Sequence, residues 1–457
     1  MFLLLAGCQA RQGMLRPVLE SEGGLYVYLA PLPQEAARLS YRIESLSARR
    51  EDGALFPLAV RLRKVNLREA GRERFLAFGA LPPGRYSGLS FRVRDAFLKG
   101  EDGESALLLP EEPSWLEFPF HVSRRSGTVL SLSLLYRESL PGGVRFLPSF
   151  HAAFPGKLAV GLNAFATSRT GNTVTVFDKL TGRVAGVVPT GAAPSGMALA
   201  SLRRKVYVAL QGGDGVERID ILSGEVTDRL RLAPGDAPVE LALTPDGRTL
   251  LSVNSGSNTV SVIDPELLVE DARIPVGNGP QSILVDRTGR RAYVFNASSD
   301  TVSVLDLPGR RVAATVPTEA EPFRGDFSRD GGLLYVAHRS SPYLSVLDTV
   351  TLRVVRRIYV GTGTIALKVD SRTGRIYLAR RRTGQVEVFD PIAAMPVDFL
   401  ATGDDVSYIA IDGEGNNLLL VQPAPGEIRV VGIVSRRTEA RVDVGDDPYG
   451  VTLMGER

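Results

Sequence analysis

One cysteine in 457 residues, Cys8, leaves this chain without the means for an intramolecular disulfide, a Cys-x-x-Cys metal site or covalent c-type haem. Histidine is almost as scarce. His121, His151 and His338 are the three, and none stands at metal-ligand spacing from another. Lysine occurs six times, so the 54 basic residues are nearly all arginine; 51 acidic residues balance them, which argues against a dedicated nucleic-acid surface despite a pI near 8.9. Past the N terminus no apolar run approaches the roughly 18 to 20 residues that span a bilayer. A Gly-rich phosphate loop, a Gly-x-Ser-x-Gly nucleophile elbow and a His-Glu-x-x-His helix are all missing, and "GTGT" at Gly361 has too few glycines to serve as the first. The length exceeds one ordinary core, so two domains are the starting expectation.

What the chain does contain is a repeat. "TVTVFD" ends at Asp178, "GVERID" at Asp220, "TVSVID" at Asp264, "TVSVLD" at Asp306, "YLSVLD" at Asp348, "QVEVFD" at Asp390 and "EIRVVG" at Gly432. A period near 42 residues built only of β-type segments is the signature of propeller blades. Each period divides into four short strands, as in "PQSILVD", "RAYVFN", "TVSVLD" and "RVAATVP". A four-stranded sheet this small cannot bury both faces alone, whereas seven stacked radially cover one another. The fold class expected is all-β, with a seven-bladed β-propeller over residues 155–457. Phe165, Tyr207, Leu251, Tyr293, Tyr335, Tyr377 and Leu419 fall at equivalent second-strand positions and read as packing between sheets. The aspartates ending the third strands read as turn caps, as in "DKLTG". "PYGVTL" (448–453) is an eighth copy of the first-strand segment with nothing after it; it is expected to complete the blade of residues 163–190 and clasp the ring, with "LAVGL" (158–162) as the competitor.

"YVFNASSDTVSVLD" and "TPDGRTLLSVNSGSNTVSVIDP" resemble the YVTN-type β-propeller repeats of bacterial and archaeal surface or secreted proteins. The resemblance covers about residues 155–457 and implies the fold. It implies little about function, because that family mixes surface-layer proteins, binding proteins and a few enzymes.

At the other end, "MFLLLAGC" sets an apolar stretch before Leu5-Ala6-Gly7-Cys8 and resembles the lipobox of bacterial lipoproteins, whose cysteine thiol receives the lipid. No basic segment precedes the stretch, so the translation start is expected upstream of Met1. The resemblance implies a signal segment over 1–8, lipidation at Cys8, a tether over 9–22 and, from Gln9, the outer membrane. Acyl chains buried at about 0.8 kcal/mol per methylene would hold the chain to that surface.

Residues 23–150 lack the period and read as strands: "GLYVYL", "RLSYRIESLSARR", "LPPGRYSGLSFRV", "WLEFPFHV" and "TVLSLSLLY". In the last, Leu130, Leu132, Leu134 and Tyr136 fall at alternate positions, with serines between the first three. An antiparallel β-sandwich is expected, and the segment resembles an uncharacterised sandwich domain of bacterial lipoproteins.

A candidate binding face follows from the ring. Loops entering first strands carry Asp236, Glu319, Glu321, Asp404, Asp405, Asp446 and Asp447. Loops leaving second strands carry Asn254, Asn296, His338, Arg339 and Arg380 to Arg382 on the same side. Crowded carboxylates would favour a cation or a cationic ligand, while the arginines offer to neutralise them. Within the first strands, Glu240, Arg324, Asp326 and Lys368 put charge on the channel face, and Asp326 with Lys368 occupy equivalent positions in adjacent blades, where a structural ion pair is expected. The leading expectation is an extracytoplasmic, lipid-anchored binding or scaffolding module on the periplasmic or cell-surface side of the envelope, requiring no cofactor. Its partners would be the membrane and a protein or small molecule at the channel mouth. The alternative is a propeller hydrolase or lactonase with a divalent cation held by Glu240 and Asp326 with Asn254 or Asn296.

Overall fold

The computed structural model describes residues 16–101, 103–414 and 416–456. Cys8 and the signal segment expected over 1–8 lie outside the described residues. Of residues 9–22, those from Arg16 onward lie against the body: the Arg16 amide donates to the Thr170 carbonyl at 2.8 Å, and Leu19 is buried. Among the described residues no helix is long and apolar enough to cross a membrane.

The 42-residue period folds into seven four-stranded sheets. In blade 2 the strands run outward in chain order, Pro194–Ala200, Lys205–Leu210, Gly215–Asp220 and Glu225–Arg231, and blades 3 to 7 repeat this order. Blade 1 differs. Its innermost strand is Pro448–Leu453, paired antiparallel with Asn163–Ser168, and residues 160–162 form a short 3-10 turn. The ring is thus closed by joining the last strand of the chain to the first three strands of the propeller. The large second-strand residues from Phe165 to Leu419 are buried between neighbouring sheets. Third-strand aspartates cap the turns after them: Asp178 accepts from the amides of Leu180 and Thr181 at 2.8 and 3.1 Å, and Asp220, Asp264, Asp348 and Asp390 do the same.

Before the propeller stands a curled sheet domain. Its ten strands form one sheet with Leu55–Val60 at the corner, pairing with Leu39–Arg50 through one end and with Arg74–Leu81 through the other. The two halves of the curl face each other over a single core that includes Leu25, Val27, Tyr41, Tyr86, Phe91 and Leu130. Two stacked, separate, purely antiparallel sheets were expected from the alternation. The corner strand makes the sheet continuous instead, and Gly23–Leu29 runs parallel to Gly127–Leu134.

"GLYVYL" explains how the two domains join. All seven residues of Gly23–Leu29 are buried, because Leu25, Val27 and Leu29 face the sheet domain's own core while Tyr26 and Tyr28 face the propeller. There they share a cluster with Phe75, Val129, Val184, Val187, Val442 and Val444. Backbones meet closely at Gly127, where an added Cβ would lie 1.9 Å from the Val187 carbonyl oxygen, so no other residue fits. Ion pairs ring the contact: Arg74 to Asp443 at 3.1 Å, Arg61 to Asp446 at 2.8 Å and Arg72 to Glu427 at 2.5 Å. The Arg16 guanidinium lies over the rings of Phe75 and Phe78 at 4.7 and 5.1 Å. An interface both apolar and charge-paired holds the domains in one fixed orientation.

Candidate functional site

The first strands of blades 2 to 6 each carry a register shift near their start, a bulge of the kind that re-aims side chains. In the third place stand Gly450, Gly196, Glu240, Ser282, Arg324, Ala366 and Tyr408, taking blades 1 to 7 in turn. From blade 2 onward small residues alternate with large polar ones. Glu240 of blade 3 therefore reaches Arg324 of blade 5 at 3.0 Å, and Arg324 lies over the ring of Tyr408 of blade 7 at 4.4 Å. Gly196 makes room for the pair, since a Cβ there would be 2.4 Å from a Glu240 carboxylate oxygen. Burial raises the Glu240 pKa, with Arg324 opposing it. Burial also pushes the Tyr449 hydroxyl up to about 12, so it remains a hydrogen-bond donor at neutral pH.

Below this cross-channel layer lies a cavity of about 230 Å³ lined by Glu240, Ser282, Lys368 and Glu456 among others. Lys368 stands 3.7 Å from Asp326, which also accepts from the Val369 amide at 2.9 Å. Glu456 accepts from Thr452 at 2.9 Å, and burial raises its pKa.

Around the rim the carboxylates are dispersed by their own arginines. Asp236 is buried in a two-point pair with Arg273 at 2.7 and 2.8 Å, Glu319 pairs with Arg357 at 2.9 Å, and Asp447 pairs with Arg169 at 2.8 Å. Asp446 is taken by Arg61 of the sheet domain. Asp405 accepts from the Arg382 amide at 2.6 Å, Asp404 is exposed, and Glu321 accepts from Ser340 at 2.5 Å. Glu321 and Asp447 occupy left-handed turn positions, φ 57° and 51°, directly before their first strands.

The second-strand ends serve the blades themselves. Asn254 donates to Thr259 and Ser261 at 3.0 and 2.8 Å, and Asn296 donates to Thr301 and Ser303 at 3.2 and 2.9 Å. Arg380 is paired with Glu387. Of the oxygens required by the metal-assisted hydrolase reading, Glu240 is committed to Arg324, Asp326 faces Lys368, and the Asn254 oxygen accepts from Ser252 at 3.1 Å, while the Asn296 oxygen is buried with no hydrogen-bond partner. Among the described residues no group of three or more His, Cys, Asp or Glu side chains converges.

His338 holds the same place in blade 5. Its Nδ1 lies 3.0 Å from the Tyr343 carbonyl, which can only accept, so Nδ1 carries the proton of a neutral ring. Burial lowers its pKa to about 4, with the Tyr343 bond, Glu319 and Asp300 opposing. A depressed folded-state pKa means that stability is complete above the unfolded value near 6.5 and is lost as pH falls towards 4. The cost is about 3 kcal/mol once both states have titrated. His338→Asn, the residue of the two preceding blades, is expected to flatten this acid limb. Urea unfolding at pH 7.5 and 4.5 measures it; an unchanged difference between the two pH values would show that His338 is not its source.

Tyr408, Tyr449 and Glu456 complete the channel and were not singled out from sequence. Tyr408 was legible as the counterpart of Glu240 and Arg324, once the third place of the first strand is known to face the axis.

A family profile of YNCE-like β-propellers matches residues 174–375. Solved structures match a larger share. Hydrazine synthase of Kuenenia stuttgartiensis is 17% identical with a TM-score of 0.51, over 62% of this chain and 92% of that one. A functionally unknown protein from Desulfotomaculum acetoxidans is 14% identical with a TM-score of 0.56, over 64% and 98%. The dihydro-heme d1 dehydrogenase NirN, in complex with DHE, is 16% identical with a TM-score of 0.53, over 66% and 78%. At such identities the likeness is one of fold. No curated protein matches the chain. The chain is thus a seven-bladed β-propeller preceded by a curled sheet domain, and over residues 174–375 it is similar to the YNCE-like β-propellers.

Proposed function

We propose that this chain is an extracytoplasmic lipoprotein, held to a membrane through Cys8, whose propeller binds a ligand at the channel mouth. The observation that carries the binding reading is the convergence of Tyr449, Glu240, Arg324 and Tyr408, from blades 1, 3, 5 and 7, on one axis. Each side chain is mounted on a strand fixed by its neighbours, so little ordering cost attends binding. The sheet domain suits the role of a rigid mount. Its charge-paired interface with blades 1 and 7 fixes the ring's orientation, and Arg16 anchors the start of the described chain to blade 1. Only residues 9–15 would then remain as a tether from the lipid.

The anchor is tested in a bacterial host with an outer membrane, expressing the gene from its natural start. Wild-type protein is expected in the membrane fraction at the mass of a lipidated form beginning at Cys8. Cys8→Ala, or globomycin treatment, is expected to leave a heavier precursor. Equal masses for wild type and variant would overturn the anchor while leaving the binding site standing.

A further inference from the structure

Most arginines at the rim face an acid, as with Arg169 and Asp447, Arg273 and Asp236, or Arg357 and Glu319. Arg339 and Arg381, from the second-strand loops of blades 5 and 6, are exceptions: among the described residues neither forms an ion pair. Arg339 is exposed at the rim. Its guanidinium lies over the ring of Phe323 at 5.3 Å and reaches Gln281 of blade 4 at 3.4 Å, so it leans over the channel. Loss of water around it lowers its pKa, and the charges of Arg381 and Arg324 lower it further. The Arg169 guanidinium lies over the Tyr449 ring at 5.1 Å, and the charges of Arg324, Arg169 and Arg339 act on the Tyr449 hydroxyl.

Pairing, more than net charge, sets these groups apart. Arg169 is taken by Asp447 and Arg324 by Glu240, and of the rim acids Glu321 accepts from Ser340, Asp405 from the Arg382 amide, and Asp404 is exposed. Arg339 and Arg381 thus keep forked guanidinium donors that no carboxylate takes up among the described residues. Guanidinium groups match the geometry of carboxylate and phosphate, and a half-enclosed site strengthens the attraction beyond its value in water.

We propose that the channel mouth is an oxyanion-binding site, in which Arg339 and Arg381, with Tyr449, recognise a carboxylate or phosphate group of the ligand. This rests on the mouth being the binding site, and it reverses the sign of ligand that the acidic loop sequence suggests. Arg324 sits beneath as the floor: its charge is shared with Glu240, so it orients the entering group and is not the main source of attraction.

The test is isothermal titration of the full chain at low ionic strength with citrate and with pyrophosphate, alongside spermidine and calcium. Saturable binding of at least one anion is expected, weakened about tenfold or more in the double variant Arg339→Ala, Arg381→Ala, the scale of one lost charge-assisted contact. Arg339→Lys should restore part of the affinity, and both variants should melt with wild type, since the two arginines are exposed and tie no strand. Whether citrate or pyrophosphate binds more tightly separates a carboxylate ligand from a phosphate one. Anion binding that the double variant leaves unchanged places the anion elsewhere and overturns the proposal. Binding of spermidine or calcium with silent anions, lost on Glu240→Gln or Glu321→Gln, would overturn the anion assignment yet keep the mouth as the site. Silence from all four probes would overturn the assignment and weigh against the site itself.

Discussion

A chain truncated after Asp447 is expected to lose its cooperative thermal transition at the wild-type temperature and to melt at least about 10 °C lower, if it folds at all. Pro448–Leu453 is the inner strand of blade 1, and its removal exposes the edge of Asn163–Ser168 to water and to other chains. Val451 and Leu453 are buried, each contributing about 1.5 to 3 kcal/mol. The strand also packs between blades 7 and 2, so both neighbours lose cover on their facing sides. Against a net stability of about 5 to 15 kcal/mol for a typical domain, these losses are enough to open the ring. Differential scanning calorimetry of the two chains is the measurement. An unchanged melting temperature would mean that blade 1 is completed locally, by residues 158–162.

Lys179→Met is expected to cost about 3 to 5 kcal/mol, far more than an ordinary surface lysine. Six blades follow the third strand with an apolar or uncharged residue; blade 1 alone places a lysine there, directly after Asp178. Lys179 is 2% exposed, and its ammonium donates to Asp412 at 3.0 Å, to Glu414 at 2.9 Å and to the Met454 carbonyl at 2.8 Å. One cation thereby joins blade 1, blade 7 and the end of the closing strand. Asp412 is fully buried, so removing the lysine leaves a carboxylate in a low-dielectric setting deprived of that charge. The double variant Lys179→Met, Asp412→Asn should recover part of the loss, because the buried negative charge goes as well. Urea unfolding gives both values. A loss near or below 1 kcal/mol for the single variant would place this pair with ordinary surface ion pairs.

The sequence makes blades 2 to 7 legible because each is a local object, its four strands lying within one period, and strand pattern, turn residues and the buried row from Phe165 to Leu419 repeat in register around the ring. What crosses the ring is less legible. Glu240 and Arg324 are 84 residues apart and meet only because the third place of every first strand faces a common axis. Pairing across that axis depends on side-chain reach, which the period does not encode. The rim misleads for a related reason. Asp236 looks like one of a crowd of acids in its loop, yet its partner Arg273 comes 37 residues later on the outer strand and reaches back. In the sheet domain, alternation in "TVLSLSLLY" reveals a strand with one buried face but not its neighbour. The parallel partner of Gly127–Leu134 is Gly23–Leu29, about a hundred residues away, and the corner at Leu55–Val60 leaves no mark in hydropathy. The unbroken apolar run of "GLYVYL" was the available clue to a strand covered on both sides, and the cover on its second side is the propeller.

Everything proposed for the channel depends on a ring shut by its own last strand, and amide hydrogen exchange reads that closure residue by residue. Hydrogen-bonded amides of residues 449–453 and of Asn163–Ser168 are expected to exchange only with global unfolding, at the slow rate of the central blade strands such as Arg291–Asn296. Fast exchange of residues 449–453, with blades 3 to 5 still protected, would show an open ring and contradict the account.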